Sequence, residues 1–142
     1  MSTLIIEKAK LKNLKDLIYL LFDDDLGKHR ENISETSFNN YKKSFMKILN
    51  DTNNEIFIMV LNDQIIGMMQ LTFIPGLSME GMTRCQIESV RIKKDYRNKG
   101  YGSELIKKGI EIAKLNKCGL IQLTSNKERL KAINFYKKLG FL

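Results

Sequence analysis

One stretch of the chain combines residue types that suit phosphate chemistry, and it runs from Glu88 to Gly102 directly before a helical pattern. Gly100 and Gly102 allow positive φ and let the backbone approach an anion without a Cβ in the way. The first turn of a helix presents unpaired N–H groups and the positive end of its dipole. Arg97 and Lys99 add positive charge. The local pattern is compatible with a phosphate-binding turn but does not distinguish it from a simple strand-to-helix turn, which also uses glycines.

The spacing of these residues differs from two common nucleotide-binding motifs. A Rossmann turn needs Gly-x-Gly-x-x-Gly and an acidic residue after a second strand, and a Walker loop needs Gly-Lys-Ser/Thr. After Gly102 the chain reads Ser103-Glu104-Leu105, so this turn contains neither motif.

Apolar periodicity and turn residues predict a mixed α/β fold around this stretch. The predicted strands are Thr3–Lys8, Glu55–Leu61, Gln64–Ile74, Arg84–Ile92 and Gly119–Leu123, with a hairpin turn at Asn62-Asp63. The predicted helices are Leu11–Leu21, a helix capped by Ser34 and reaching Leu49, Tyr101–Asn116 and Glu128–Leu139, the last ended by Gly140. The segments Asp23–Arg30 and Pro75–Thr83 are predicted as loops. The order indicates one domain, residues 1–142, with a mainly antiparallel sheet and a βαβα C-terminal half.

The composition is typical of a soluble globular protein, with 43% hydrophobic and 28% charged residues. No apolar run approaches the roughly 20 residues that cross a bilayer. The first residues lack the pattern of a signal peptide. We therefore expect a cytoplasmic protein with no membrane partner. Cys85, Cys118 and the single His29 fit neither a disulfide framework nor a zinc site, so we expect reduced thiols and no metal.

The net charge of +8 is unevenly distributed along the chain. Residues 1–83 contain 9 Lys/Arg and 11 Asp/Glu, a net charge of −2. Residues 84–142 contain 15 Lys/Arg and 5 Asp/Glu, a net charge of +10. A basic half suggests an anionic partner such as a nucleic acid, a lipid surface or a phosphorylated cofactor, and a solvated lysine-rich surface is the simpler interpretation.

The spacing Arg97-x-x-Gly100-x-Gly102 resembles the Arg/Gln-x-x-Gly-x-Gly/Ala signature of the GNAT superfamily of N-acetyltransferases. The resemblance continues upstream through residues 87–92 and downstream through residues 122–126 and 132–141. It covers about residues 84–142 in register, whereas the first 80 residues fit only in element order. It implies a GNAT-like acyl-CoA N-acyltransferase fold. That fold has another strand after Gly140, and we expect the last strand to be missing because the chain stops at Leu142.

The resemblance also implies where acetyl-CoA would bind. Backbone groups of the fourth strand would pair with the pantetheine arm, at Val90, Arg91 and Ile92. Amides of the turn would hold the pyrophosphate, at Arg97, Asn98, Lys99, Gly100, Tyr101 and Gly102. The fourth and fifth strands would separate to admit the thioester, and Asn126 would meet the pantetheine. A cofactor with three phosphate groups agrees with the positive charge of this half.

Two residues are the candidates for proton transfer. By period-two alternation Glu88 shares a strand face with Val90 and Ile92, and it could accept a proton from an amine directly or through water. A Glu paired with Arg84 or a lysine is the structural alternative. The resemblance places Tyr136 near the thioester sulfur. A phenol with a pKa of about 10 could protonate a leaving thiolate, and a core aromatic is the alternative.

We therefore expect a metal-free enzyme that moves an acetyl group from acetyl-CoA directly to a primary amine, most simply that of a small molecule. Asp24 and Asp25 are candidates to attract a cationic acceptor, or else part of a solvated loop. An acyl-cysteine intermediate at Cys118 and a catalytic His29 are disfavoured. The alternatives are a protein lysine or N-terminal acetyltransferase, a basic nucleic-acid-binding module and a CoA-binding protein without activity. An exposed edge at Gly119–Leu123 would favour a homodimer.

Overall fold

The structure is a computed structural model that describes residues 3–23, 27–123 and 140. The strands of this part are β1 (Leu4–Lys8), β2 (Asn54–Leu61), β3 (Gln64–Pro75), β4 (Thr83–Ile92) and β5 (Leu120–Leu123). Its helices are α1 (Leu14–Phe22), α2 (Gly27–Arg30), α3 (Glu35–Leu49), α4 (Ser78–Gly81) and α5 (Tyr101–Leu115). Short 3₁₀ turns lie at Leu11–Asn13 and Lys94–Tyr96.

The strands form one sheet in the order β1-β2-β3-β4-β5. Neighbouring strands are antiparallel except for β4 and β5, which run parallel. Asn62 and Asp63 connect β2 to β3 with φ of 48° and 67°, the positive values that a tight two-residue hairpin requires. The predicted mixed α/β class with a mainly antiparallel sheet is confirmed.

Each face of the sheet has its own hydrophobic core. On one face α5 contributes Leu105, Ile106 and Ala113, all fully buried against β2, β3 and β4. A Cβ added to Gly109 would lie 3.3 Å from the Met69 sulfur and 3.4 Å from Ile87 Cδ1, so this glycine lets α5 approach the sheet closely. On the other face α1 and α3 cover β2 and β3 through a second buried cluster, which comprises Ala9, Leu14, Leu17, Ile18, Leu20, Phe45, Ile58 and Met68.

Two segments predicted as loops contain short helices. Gly27–Arg30 forms α2 inside the polar segment after α1, and Ser78–Gly81 forms α4 between β3 and β4. Four residues are too few to show a helical repeat of apolar side chains, which explains why periodicity missed both. In α4, Met79 and Glu80 have left-handed backbone angles, φ of 55° and 60°. The predicted helix over 128–139 and the expected missing strand after Gly140 lie outside the described residues.

Strand β4 contains a bulge that changes which side chains share a face. Gln70 pairs with Glu88, whereas Met68 pairs with Arg91, so the strand has one extra residue between these pairs. Ser89 accommodates it with φ of 53°. Glu88 consequently lies on the face covered by α1 and α3, whereas Val90 and Ile92 pack with the α5 core. The prediction that Glu88 shares their face is wrong, because strict alternation fails wherever a bulge adds a residue.

Candidate functional site

The turn between β4 and α5 presents main-chain donors to open space. Gly100 adopts φ of 88° and begins α5, with no side chain capping the helix. The first bond within the helix joins the Glu104 amide to the Gly100 carbonyl at 3.2 Å, so the amides of residues 101–103 have no partner within the helix. A Cβ built on Gly100 would meet no atom within 4 Å. An anion can therefore approach these amides and the positive end of the helix dipole.

Two of the four cations in this turn, Arg97 and Lys99, are used differently. Arg97 donates from Nε to the Ile92 carbonyl at 2.8 Å and from Nη2 to the Asp23 carbonyl at 2.6 Å. Its guanidinium therefore binds the main chain at the ends of β4 and α1. Lys99 is exposed, with its ammonium 5.9 Å from the centre of the Tyr96 ring. Lys99 is thus an exposed cation beside Gly100 that can reach a solvent-exposed anion.

The second half of β4 differs from the first in its pairing with β5. The parallel ladder joins residues 84–87 of β4 to residues 120–123 of β5. Among the described residues, positions 88–92 of β4 have no β5 partner. Val90 and Ile92 are half-buried against the α5 core, and the Val90 carbonyl accepts a bond from Arg91 Nη1 at 3.0 Å. The strands at 84–92 and 119–123 were expected to separate; they pair at residues 84–87 and 120–123, and residues 124–139 lie outside the described residues.

Sequence reasoning missed a row of polar side chains that crosses the sheet beside Glu88. Gln70 lies opposite Glu88 in the register. Asn54 Oδ1 accepts bonds from Thr72 Oγ1 at 2.7 Å and from Gln70 Nε2 at 3.4 Å, and Asn54 Nδ2 donates to Asp51 Oδ2 at 2.8 Å. These side chains share the Glu88 face. The available signal was the alternation of polar residues at 70 and 72 with apolar residues at 69, 71 and 73.

A groove of about 600 Å³ lies between the end of α1 and the turn that follows β4. Its lining residues are Asp16, Tyr19, Leu20, Phe22, Asp23, Lys28, Ile65, Lys93, Lys94 and Asp95. Three carboxylates and three ammonium groups therefore border it. The Lys94 amide donates to Asp23 Oδ2 at 3.3 Å and links the two sides. The groove suits a polar molecule with groups of both charges.

Both cysteines are free thiols, as expected. Burial raises the pKa of Cys85 to about 11, with a smaller contribution from Cys118 nearby. Burial also raises the pKa of the half-buried Cys118. The nucleophilic form of cysteine is the thiolate. Raised pKa values keep both thiols neutral near pH 7 and disfavour an acyl-cysteine at either position.

Four of the predicted site residues, Asp24, Asp25, Asn126 and Tyr136, lie outside the described residues. His29 is exposed on α2. Within the described ranges no group of three His, Cys, Asp or Glu side chains is placed to hold a metal ion. The described helices include none that is long and apolar enough to cross a membrane.

Comparisons with known proteins agree with this geometry. A transcriptional regulator from Bacillus halodurans C-125 has a similar solved structure, with a TM-score of 0.94 and 38% identity over 99% of this chain and 93% of that one. Streptothricin acetyltransferase A of Bacillus subtilis is 44% identical over 57 residues, 39% of this chain and 32% of the relative. An uncharacterized N-acetyltransferase of Methanocaldococcus jannaschii is 39% identical over 56 residues, 39% of this chain and 25% of the relative. The two matched segments thus span a third or less of those relatives.

The family match extends over most of the chain. The model of the acetyltransferase (GNAT) family matches residues 14–141, which include the turn at Gly100 and strand β4. The uncapped amides at the start of α5, the bulged β4 and the other described elements from α1 to β5 lie inside the matched range. The protein therefore belongs to the acetyltransferase (GNAT) family, whose members transfer acetyl groups.

Proposed function

We propose that the protein transfers the acetyl group of acetyl-CoA directly to a primary amine of a small molecule. The observation that carries this proposal is the turn at Gly100. Gly100 has a left-handed backbone conformation and directly precedes α5, whose first amides are uncapped. The space beside Gly100 is free of other atoms. Such a helix start binds pyrophosphate well, and the family to which the chain belongs uses acetyl-CoA.

The cofactor would lie along β4 and across the turn. Amides from Arg97 to Gly102 would hold the pyrophosphate, with Lys99 supplying positive charge at the exposed side. The β4 residues beyond the described ladder with β5, Val90 to Ile92, would pair with the pantetheine, together with Asn126. A net charge of +10 over residues 84–142 supports an anionic cofactor at this end of the molecule.

The acceptor would enter from the α1 side of the sheet. Glu88 is half-buried on that face, and a groove of about 600 Å³ lies at the end of α1, a size typical of small-molecule sites. The groove's mixed charges favour an amine that also bears polar groups. Asp24 and Asp25 follow α1 directly and would add negative charge. The streptothricin acetyltransferase relative also favours a small molecule over a protein lysine or N-terminus.

Direct transfer needs one proton removed from nitrogen and one given to sulfur. The amine lone pair attacks the thioester carbonyl carbon, the C–N bond forms, and the C–S bond then breaks. Glu88 takes the proton that the nitrogen loses, and Tyr136 gives a proton to the departing CoA thiolate. Solvent returns both residues to their starting states. The raised pKa values of Cys85 and Cys118 argue against a covalent route.

Cofactor binding is tested by calorimetric titration with acetyl-CoA. We expect Gly100→Asp to weaken binding by at least about tenfold, because a carboxylate would stand a few ångströms from the pyrophosphate. Gly100→Asn is the matched control, since it has the same size and tolerates left-handed backbone similarly without the charge. Equal affinities of the two folded variants and the parent would rule out the phosphate assignment of this turn.

The transfer itself is tested by release of free CoA thiol across a panel of amines, lysine peptides included. Turnover with small amines and none with peptides supports the proposal, and the reverse result favours the protein acetyltransferase alternative. Absence of turnover with tight acetyl-CoA binding would point to a CoA-binding protein without activity.

The role of Tyr136 is tested by Tyr136→Phe, which removes one hydroxyl and keeps the ring. Loss of a general acid typically lowers kcat by about 10²–10⁴-fold. The KM for acetyl-CoA and the thermal stability should change little, because the interaction strengthens in the transition state. Turnover within about threefold of the parent would instead identify a core aromatic.

A second candidate function has one specific observation behind it. The similar structure from Bacillus halodurans is that of a transcriptional regulator, and the basic half of this chain would suit DNA. Fluorescence anisotropy with duplex DNA over a range of salt concentrations tests it, because non-specific affinity falls steeply with salt. Sequence-specific binding that survives physiological salt, without acetyl-CoA binding, would replace the enzymatic proposal.

A further inference from the structure

The Arg97 side chain donates two hydrogen bonds to main-chain carbonyls, one close in sequence and one distant. Its Nε donates to the Ile92 carbonyl at 2.8 Å, which fastens the turn to the strand just before it. Its Nη2 donates to the Asp23 carbonyl at 2.6 Å, which joins the turn to the end of α1 far away in sequence. Through these two bonds the Arg97 side chain connects the turn to both β4 and the end of α1.

The carbonyl bonds outweigh the ion pair that accompanies them. Arg97 Nη2 lies 4.0 Å from Asp23 Oδ2, and the two side chains are 38% and 39% exposed. Exposed ion pairs contribute little to stability, whereas hydrogen bonds from a charged donor at short distance are stronger. The acceptors are also main-chain atoms, so the bonds fix backbone positions rather than side-chain rotamers.

The two connected segments form opposite sides of the groove described above. Helix α1 and the residue that follows it contribute Asp16, Tyr19 and Asp23, and the turn contributes the residues from Lys93 to Asp95. A bond between the two segments therefore helps set the width of the groove. The same turn carries the amides that would hold the pyrophosphate.

We propose that Arg97 is a positioning residue with two separable tasks, rather than a phosphate ligand. The Nε bond shapes the phosphate-binding turn, and the Nη2 bond couples that turn to the α1 side of the acceptor groove. Occupation of the turn by the cofactor thereby steadies the end of α1. This inference rests on the proposed use of acetyl-CoA.

Side-chain length allows the two bonds to be separated. In Arg97→Gln the amide nitrogen falls at the position of Nε, so the bond to the Ile92 carbonyl can persist while the Asp23 bond is lost. In Arg97→Lys a methylene falls at that position, so the Ile92 bond is lost while the ammonium extends toward the Asp23 carbonyl. Only the lysine keeps the charge.

The first measurement is calorimetric affinity for acetyl-CoA in the parent, Arg97→Gln, Arg97→Lys and Arg97→Ala. We expect the parent to bind most tightly, Arg97→Gln next, and Arg97→Lys about tenfold or more below the parent, close to Arg97→Ala. Lys42→Gln is the matched control, because it removes one positive charge from an exposed position on α3 and neither carbonyl bond, and it should leave the affinity unchanged. Tighter binding by Arg97→Lys than by Arg97→Gln would overturn the proposal and make Arg97 a cation for phosphate.

The second measurement is hydrogen exchange of the peptide covering residues 19–23. The Asp23 amide donates to the Tyr19 carbonyl at 2.7 Å, so its exchange reports on the end of α1. Saturation with acetyl-CoA should slow this exchange in the parent and leave it unchanged in Arg97→Gln. Equal slowing in both chains, or none in the parent, would contradict the coupling.

The same exchange experiment without cofactor separates this inference from the proposed function. In that state we expect faster exchange at residues 19–23 in Arg97→Gln than in Arg97→Lys, with thermal unfolding confirming that both are folded. If that order is found but acetyl-CoA does not bind the parent, only the proposed cofactor is wrong. If, without cofactor, residues 19–23 exchange faster in Arg97→Lys than in Arg97→Gln, the bond from Arg97 Nη2 to the Asp23 carbonyl does not hold the end of α1.

Discussion

The two halves of strand β4 differ in their pairing with β5 and in the burial of their side chains. The first half pairs with β3 on one side and β5 on the other, and it places Cys85 and Ile87 at 0% exposure in the α5 core. The second half begins at Glu88, bulges at Ser89, and has no β5 partner among the described residues. All its side chains are only half-buried. One strand thus combines a segment that stabilises the fold with a half-buried segment that lies beyond the described ladder with β5.

The largest expected effect lies in the second half, at Glu88. If this carboxylate accepts the amine proton, Glu88→Gln should lower kcat by about 10²–10⁴-fold, the usual contribution of a general base. Acetyl-CoA affinity and melting temperature should stay close to the parent values, because the half-buried side chain lies outside both cores.

Glu7→Gln is the matched control for Glu88→Gln. It removes the same charge from exposed strand β1, which pairs with β2 across the sheet from β4, and turnover should not change. A Glu88→Gln enzyme as fast as this control would leave Glu88 with a structural role in the polar row formed with Gln70.

The next effect belongs to the first half and concerns stability. Ile87→Ala removes a fully buried side chain, and we expect it to lower the free energy of unfolding by about 2–5 kcal/mol. Val90→Ala, in the half-buried second half, should lower the free energy of unfolding by less, about 1 kcal/mol. Urea unfolding measures both. Equal losses at the two positions would show that the halves do not differ in packing as described.

The smallest effect tests the bulge that divides the halves. Ser89 has left-handed φ of 53°, so Ser89→Gly relieves backbone strain while adding freedom to the unfolded chain. The two contributions nearly offset each other, and we expect the free energy of unfolding of Ser89→Gly to lie within about 1 kcal/mol of the parent value. Ser89→Val should be less stable than Ser89→Gly, because a β-branched residue resists positive φ. Thermal unfolding that ranks Val above Gly would exclude a left-handed residue here.

Much of the fold followed from local patterns. Asn62-Asp63 predicted the hairpin and Gly100 predicted the left-handed start of α5, because backbone preferences of one or two residues determine both features. Apolar periodicity likewise predicted the helix over residues 101–116, which the structure shows as α5. The mixed α/β class was therefore accessible from local patterns, whereas the acetyltransferase family was indicated by the resemblance of Arg97-x-x-Gly100-x-Gly102 to the signature of that family.

The tertiary structure decided the features that depend on distant partners. The face on which Glu88 lies depends on how β4 pairs with β3, and an extra residue at Ser89 reverses the expectation from alternation. The polar row depends on Asn54 and Thr72 meeting across two strands. Arg97 looked like a phosphate-binding cation in the sequence, yet its bond to the Asp23 carbonyl forms only when α1 packs against the end of β4. Local preferences are encoded residue by residue, whereas these contacts exist only after chain segments far apart in sequence have packed together.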